Sequence, residues 1–286
     1  MISQHQLDQE IQQIIINALK EDIGDGDHSS LACIPFEAEG KAQLLVKDEG
    51  IIAGIDIAKK VFHQIDSLLV FEPLINDGKV IKNGDIAFTI YGKHQSILKG
   101  ERLALNIMQR MSAIATKTNQ FVERLKPYKT QILDTRKTTP GIRALEKLAV
   151  KIGGGTNHRY ALYDMIMLKD NHIDFAGGIT KAIDKTVSYL KNNQLDLKII
   201  VEARDLIEVE EILKSSQHVE RILLDNFSYL DTQKAVSLIG NACKTESSGG
   251  ITPKTAVEFA KCGVDYISSG ALTHSIYNLD LSLKAV

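Results

Sequence analysis

The stretch ILDTRKTTPGIRALEKLAVKIGGGTNHRYALYDMIMLKDNHI (residues 132–173) places cationic side chains where the chain turns. Arg136 and Lys137 follow the strand-like run Gln131-Ile132-Leu133. His158 and Arg159 follow Gly153-Gly154-Gly155, and Lys169 and His172 follow the apolar run MIML. Each pair reads as the polar end of a strand or the exit from a tight loop, not as a solvated helix face. Cations gathered this way suit a ligand with several negative charges. Arg offers a planar fork to carboxylates and Lys a point charge to phosphates. Scattered surface charge is the competing reading, and the repeated placement after strand-like runs weighs against it.

Working outward, the chain beyond Thr130 repeats strand–loop–helix units. The strand-like runs are QILDT, DMIMLKD, LKIIVEA, RILLDN, ACKTESS and VDYISSG. Between them lie helical stretches such as IRALEKLAVKI, ITKAIDKTVSYLKN, LIEVEEILKSS, YLDTQKAVSLI and TPKTAVEFAKCG. This alternation predicts parallel strands joined by crossover helices. The apolar interiors MIML and ILL suit strands buried on both faces. Almost every strand ends in a residue with chemistry: Arg136 and Lys137, Lys169, Glu202, Asp225, Ser248, Ser269. In a parallel barrel these ends converge on one mouth. A doubly wound sheet would spread them along a line, with a ligand only at its switch point. The even distribution favours an incomplete, TIM-like α/β barrel of about six parallel strands.

Before it, residues 6–20 put Leu7, Ile11, Ile14, Ile15 and Ala18 on one helical face. The loop EDIGDGD (residues 21–27) reads as a turn, since it lacks the distal glutamate of a calcium loop. Residues 41–92 read as short strands with glycine and asparagine turns around one helix at 55–65. A long helix then runs from 97 to 125 and ends before Pro127. The expected organisation is an α+β domain over residues 1–110 and a barrel over 111–275, with the tail 276–286 packing back on the first domain.

Composition narrows the class. In 286 residues, 34 Lys+Arg against 36 Asp+Glu give a formal charge of −2, so bulk charge points to neither nucleic acid nor a membrane surface. Three cysteines without metal spacing suit a reduced thiol environment. No basic leader precedes an apolar core near the start, and no apolar run approaches bilayer length. The expected location is cytoplasmic.

Two loops look built for phosphate. TESSGGIT (residues 245–252) leads into a helix near Pro253, and SSGALTH (residues 268–274) follows the last strand. Small residues let backbone N–H groups approach an anion, and barrel phosphate sites recur after the last strands. The candidates are Ser248, Gly249, Gly250, Ser269, Gly270 and His274. Glu202 and Asp225 end adjacent strands, where two carboxylates need cations or a metal. Oxygen ligands beside phosphates are the usual Mg²⁺ environment. Pairing with a local Lys or Arg is the plainer alternative.

The strings DTRKTTPG, EKLAVKIGGG, NHR and KDNHI, in this order and spacing, resemble the quinolinate phosphoribosyltransferase family. The resemblance runs from EDIGDGD to GALTHS. It implies the same incomplete barrel behind an α+β domain. It also implies transfer of phosphoribosyl from 5-phosphoribosyl 1-pyrophosphate to quinolinate with decarboxylation, giving nicotinate mononucleotide for NAD biosynthesis. Arg136, His158, Arg159 and Lys169 would receive quinolinate, and Lys137 the pyrophosphate. Glu202 and Asp225 would act at the ribose and hold Mg²⁺. GERLALN matches a family motif whose arginine enters the neighbouring subunit's site, so Arg102 is expected to cross a homodimer interface. One position departs. The family's V-E-V-E strand reads Ile199-Ile200-Val201-Glu202 here, so the first glutamate has become Ile200. Strand alternation puts Ile200 one layer deeper, where an apolar side chain is tolerated.

Three other readings fit parts of the pattern. A Schiff-base aldolase would use Lys137 or Lys169 as nucleophile, but it leaves the other cations unexplained. A non-catalytic phosphometabolite sensor gives Glu202 and Asp225 no task. A homologous transferase acting on another pyridine, or on a molybdenum-linked ligand, is the nearest alternative. The complete DTRK, NHR and KDNH set favours quinolinate.

Overall fold

Sequence order settles which parallel architecture is present. In the computed structural model, which describes residues 2–286, the chain forms two compact units. Neither is continuous. Residues 120–137 join 155–271, and residues 3–119 join 138–154 and 272–286. The cut expected at residue 110 falls inside a helix.

The unit holding most of residues 3–119 begins with α1 (Gln4–Ile23), whose Ser3 and Gln6 form a reciprocal capping box. Leu7, Ile11, Ile15 and Leu19 are buried at four-residue spacing, and Gly24 at φ 55° stops the helix. Asp27 caps α2 (His28–Cys33) through the backbone N–H of Ser30. Within EDIGDGD, residues 21–23 close α1 and residues 24–27 form the helix–helix turn. Then come β1 (Glu39–Val46), β2 (Gly50–Ile51), α3 (Ile55–Ile65), β3 (Val70–Pro73), β4 (Val80–Ile81) and β5 (Ile86–Lys93). The 32-residue α4 (His94–Leu125) follows. Phe62 of α3 packs with Phe71 and Phe88, seating the helix on the sheet.

In the other unit lie β6 (Gln131–Leu133), β7 (Ile166–Leu168), α6 (Asp170–Ala176), α7 (Ile179–Asn192), β8 (Ile199–Ala203), α8 (Leu206–Leu213), β9 (Arg221–Asp225), α9 (Tyr229–Ile239), β10 (Lys244–Ser248), α10 (Pro253–Lys261) and β11 (Tyr266–Ser268). Between β6 and β7 the chain leaves this unit to form α5 (Arg143–Ile152). Sequence periodicity had placed that helix among the barrel crossovers; it belongs to the antiparallel unit. There Arg110 of α4 holds its buried Glu146, with Nε 2.7 Å from Oε1, and a Cβ at Gly153 would overlap the Ala115 carbonyl. The chain ends in α11 (Ala271–His274) and β12 (Leu281–Ala285). β12 pairs antiparallel with β1, so the tail completes the sheet β12-β1-β5-β3.

The parallel sheet runs β6-β11-β10-β9-β8-β7. Read as a ring, this is chain order with one seam, between β6 and β7. A doubly wound sheet would reverse direction at a switch point, and none occurs. The result is a six-stranded open barrel. Alternation then sorts the side chains. Leu168, Ile199, Val201, Ala203, Ile222 and Leu224 face outward into one apolar cluster with the helices. Register puts Ile200 beside Met167 and Arg221, and Glu202 beside Leu223, on the inner face.

Candidate active site

At the seam, β6 is continued by a loop that returns to it. Thr156 forms an isolated parallel bridge with Leu133, and its N–H donates to the Ile132 carbonyl at 3.0 Å. Fully buried Asp134 fastens this return. Its carboxylate accepts the His158 backbone N–H at 2.8 Å and the Asn157 side-chain amide at 2.5 Å. Arg159 is thereby fixed beside the β6 end that carries Arg136 and Lys137.

Arg159 is 7% exposed, and its Nη1 donates to the Met165 carbonyl at 3.2 Å. Burial and the neighbouring Arg136 charge both pull its guanidinium below the ordinary arginine value, with Asp164 opposing. Asp164 is already engaged by the backbone N–H groups of Tyr160 and Ala161. Among the described residues, neither Arg136 nor Arg159 makes an ion pair, and Arg136 Nε is buried without a hydrogen-bond partner. Two adjacent forks left unneutralised could hold a dianion.

Glu202 is 9% exposed at the end of β8. Burial pushes its carboxyl above the ordinary range, and the like charge of Asp225 adds to this, while Lys169 opposes it. Asp225, one layer nearer the mouth on β9, accepts the Asn226 side-chain amide at 2.8 Å. Lys169 is exposed and precedes α6. The sequence-chosen acids and this lysine therefore share one electrostatic environment.

After β10, Gly249 and Gly250 have φ of 102° and 58°. A Cβ on Gly249 would overlap Asn226 Oδ1, so a glycine is required on both counts. The loop reaches α10 through the Thr252 capping box. Ser269 is tied to both sides, its N–H to the Leu133 carbonyl at 3.1 Å and its hydroxyl to the Ile251 carbonyl at 3.2 Å. Ser248, Gly249, Gly250, Ser269 and Gly270 belong to the barrel unit, whereas His274 belongs to the antiparallel unit, with Nδ1 2.7 Å from Ser275 Oγ. Arg102 lies exposed on α4 in that unit and makes no ion pair among the described residues.

His158 was expected at the ligand. Its ring is buried, with Nε2 3.5 Å from Glu246 Oε2. Glu246 is fully buried and also accepts Arg221 Nη1 at 2.6 Å. Reading strand ends alone missed Asp134, Arg221 and Glu246. Counting back by twos from Ser248 and Asp225 finds Glu246 and Arg221 on the inner face.

Comparison with known proteins agrees along nearly the whole chain. Residues 27–112 match the model of the quinolinate phosphoribosyl transferase N-terminal domain, and residues 114–284 that of its C-terminal domain. A Nicotiana tabacum protein named quinolinate phosphoribosyltransferase [decarboxylating] 1b is 43% identical, over 96% of this chain and 82% of its own length. The chloroplastic nicotinate-nucleotide pyrophosphorylase [carboxylating] of Arabidopsis thaliana is 42% identical with the same coverage. The crystal structure of NadC from Streptococcus pyogenes superposes with a TM-score of 0.90 at 36% identity, covering 100% of this chain and 99% of that one.

Proposed function

The chain belongs to the quinolinate phosphoribosyltransferase family and is an enzyme of that decarboxylating transfer; we propose that its barrel mouth carries out the reaction as follows. Phosphoribosyl passes from 5-phosphoribosyl 1-pyrophosphate to quinolinate, and nicotinate mononucleotide, pyrophosphate and CO₂ leave, a step of NAD biosynthesis. The observation that carries the assignment of roles is the unpaired, partly buried couple Arg136 and Arg159. Quinolinate has two adjacent ring carboxylates, which match two forks in charge and planarity.

Arg136, Arg159 and Lys169 hold the ring so that its nitrogen faces the anomeric carbon. Ser248, Gly249, Gly250, Ser269 and Gly270 offer small residues to a phosphate, and Lys137 lies on the pyrophosphate side. As the bond to pyrophosphate breaks, positive charge grows on the ribose, and Glu202 and Asp225 stabilise it. The quaternised ring then loses the carboxylate next to nitrogen as CO₂, because the resulting carbanion lies beside a positive centre, and that carbon takes a proton from water to give nicotinate mononucleotide. No residue is required as a nucleophile.

Glu202 and Asp225 also fit a divalent cation. Their mutual repulsion contributes to Glu202's raised proton affinity, and a hard cation would relieve it. Among the described residues no three His, Cys, Asp or Glu side chains group as a metal cage, so Mg²⁺ would complete its shell with substrate oxygens and water. When bound it supplies charge neutralisation for the departing pyrophosphate.

Arg102 is assigned to the partner subunit's site in a homodimer. Its exposure and lack of an ion pair suit that role. Mixed dimers of Arg102→Ala and Lys169→Ala chains should regain about half of wild-type activity per dimer, because one site then carries both defects and the other neither. No recovery after confirmed subunit exchange rules the shared site out. A cytoplasmic location suits three free thiols, and among the described residues no helix is long and apolar enough to cross a membrane.

The decisive assay supplies Mg²⁺, 5-phosphoribosyl 1-pyrophosphate and either quinolinate or nicotinate, following pyrophosphate and CO₂. Nicotinate would leave a buried fork unpaired, so quinolinate should be preferred by about 10⁴-fold in kcat/KM. Comparable turnover of the two removes the assignment.

A further inference from the structure

Behind Arg159, a chain of buried polar contacts runs into the barrel interior, and the reaction makes no direct use of it. Glu246 faces inward from β10 with no exposed surface. Arg221 reaches it with Nη1 at 2.6 Å and lies over the Tyr266 ring at 4.0 Å. On the other side, His158 Nε2 is 3.5 Å from the same Glu246 oxygen. His158 Nδ1 accepts the backbone N–H of Arg159 at 2.6 Å. A ring nitrogen that accepts carries no proton, so the imidazole is neutral with its hydrogen on Nε2, toward Glu246. Nδ1 is thus hydrogen-bonded, whereas Nε2 faces the Glu246 carboxylate at 3.5 Å in a charge–dipole contact rather than a hydrogen bond.

We propose that Glu246 is a positioning residue for the dicarboxylate receptor, fixing the His158 tautomer and, through Nδ1, the peptide that carries Arg159. The physical link is a forced choice of tautomer. Without the Glu246 oxygen facing Nε2, the proton can move to Nδ1, where it would oppose the Arg159 N–H, donor against donor. That peptide would then shift, and the Arg159 guanidinium with it. Asp134, on the His158 N–H, anchors the preceding peptide and leaves the tautomer to Glu246. The inference rests on the reading that Arg159 binds the ring carboxylates of quinolinate.

Two double variants separate positioning from charge balance. Arg221→Met with Glu246→Met removes the ion pair and the facing oxygen together. Arg221→Met with Glu246→Gln removes the ion pair but keeps a carbonyl oxygen facing His158 Nε2. The first should raise the quinolinate KM by about tenfold, with kcat and the KM for 5-phosphoribosyl 1-pyrophosphate within about threefold of wild type. The second should return the quinolinate KM to within about threefold. His158→Phe keeps both charges and the ring shape, and should also raise the quinolinate KM by about tenfold. It stands in if the double variants do not fold. Equal quinolinate KM in the two double variants, or an unchanged KM in His158→Phe, overturns the proposal. A wild-type enzyme inactive on quinolinate would overturn the functional reading instead, and the two failures are distinguishable.

Discussion

Two glutamates sit at the same level inside the barrel, since Glu202 and Glu246 are both in register with Leu223 from opposite sides. Burial acts on both in the same direction, raising the cost of the charged form. For Glu246 that cost is outweighed: His158, Arg221 and the Ser268 hydroxyl hold it at about 2. For Glu202 it is reinforced, because Asp225 and Asp170 add like charge, against Lys169 and a hydrogen bond from the Asp170 backbone. One half of the interior is therefore complete in its own charges. The other half is left wanting a cation. On the proposed mechanism, that asymmetry is where a positively charged transition state or a divalent ion would sit, and it would separate an acid that serves the structure from one that serves the chemistry.

The largest effect should come from breaking the cation-seeking half. Glu202→Ala and Asp225→Ala should each lower kcat by about 10²- to 10³-fold, since their stabilisation grows as charge develops. Quinolinate binding in the absence of the second substrate should persist, measured by calorimetry. A variant that folds yet loses quinolinate binding would make these acids ligand contacts, and the contrast between the two halves would fail.

Stability should show the reverse order. Glu246→Gln leaves the mostly buried Arg221 without its counter-charge, at a cost of about 3 kcal/mol. Glu202→Gln removes a charge that the fold does not balance, so its unfolding free energy should change by less than about 1 kcal/mol. Urea unfolding of both variants at neutral pH checks this. Equal losses would mean that Glu202 is also a structural acid.

The barrel's plan was legible because its strands are short apolar runs that end in polar residues. Lys169, Glu202, Asp225 and Ser248 each follow such a run, and the alternation of strand and helix dictated their shared mouth. Glu246 and Arg221 were hidden for the converse reason. They lie inside strands, where a lone polar residue looks like an interruption, and their meaning depends on contacts between β9, β10 and the seam loop. Asp134 was hidden because it holds backbone rather than ligand. The periodicity of α5 identified its apolar face but could not name the unit that covers it; the Arg110–Glu146 pair does. His158 lies in the same segment as Arg159, and its buried ring faces Glu246, a neighbour in β10 that no sequence pattern around the NHR string points to.

The smallest expected effect is a difference in pH dependence, and its sign follows from the two acids. Glu246, depressed in the fold, contributes stability that is complete above the ordinary glutamate value of 4.5 and is lost as pH falls toward about 2. Glu202, raised in the fold, binds its proton more tightly than in the unfolded chain, so its ionisation erodes stability as pH rises from 4.5 through its raised value. The same raised affinity should appear in catalysis. In kcat/KM, which reports the free enzyme, an acid limb above 4.5 should mark Glu202 losing the charge that the transition state needs. In kcat, with substrates and Mg²⁺ supplying positive charge nearby, that limb should move to lower pH. Protonation of the substrates also shapes both profiles, but it does so equally in every variant. Glu202→Gln, assayed at its own reduced rate, should therefore keep the substrate limb and lose the remainder. If its profiles superpose on wild type after scaling, Glu202 does not titrate in the working range, and the uncompensated half of the barrel is not what sets the enzyme's acid limit.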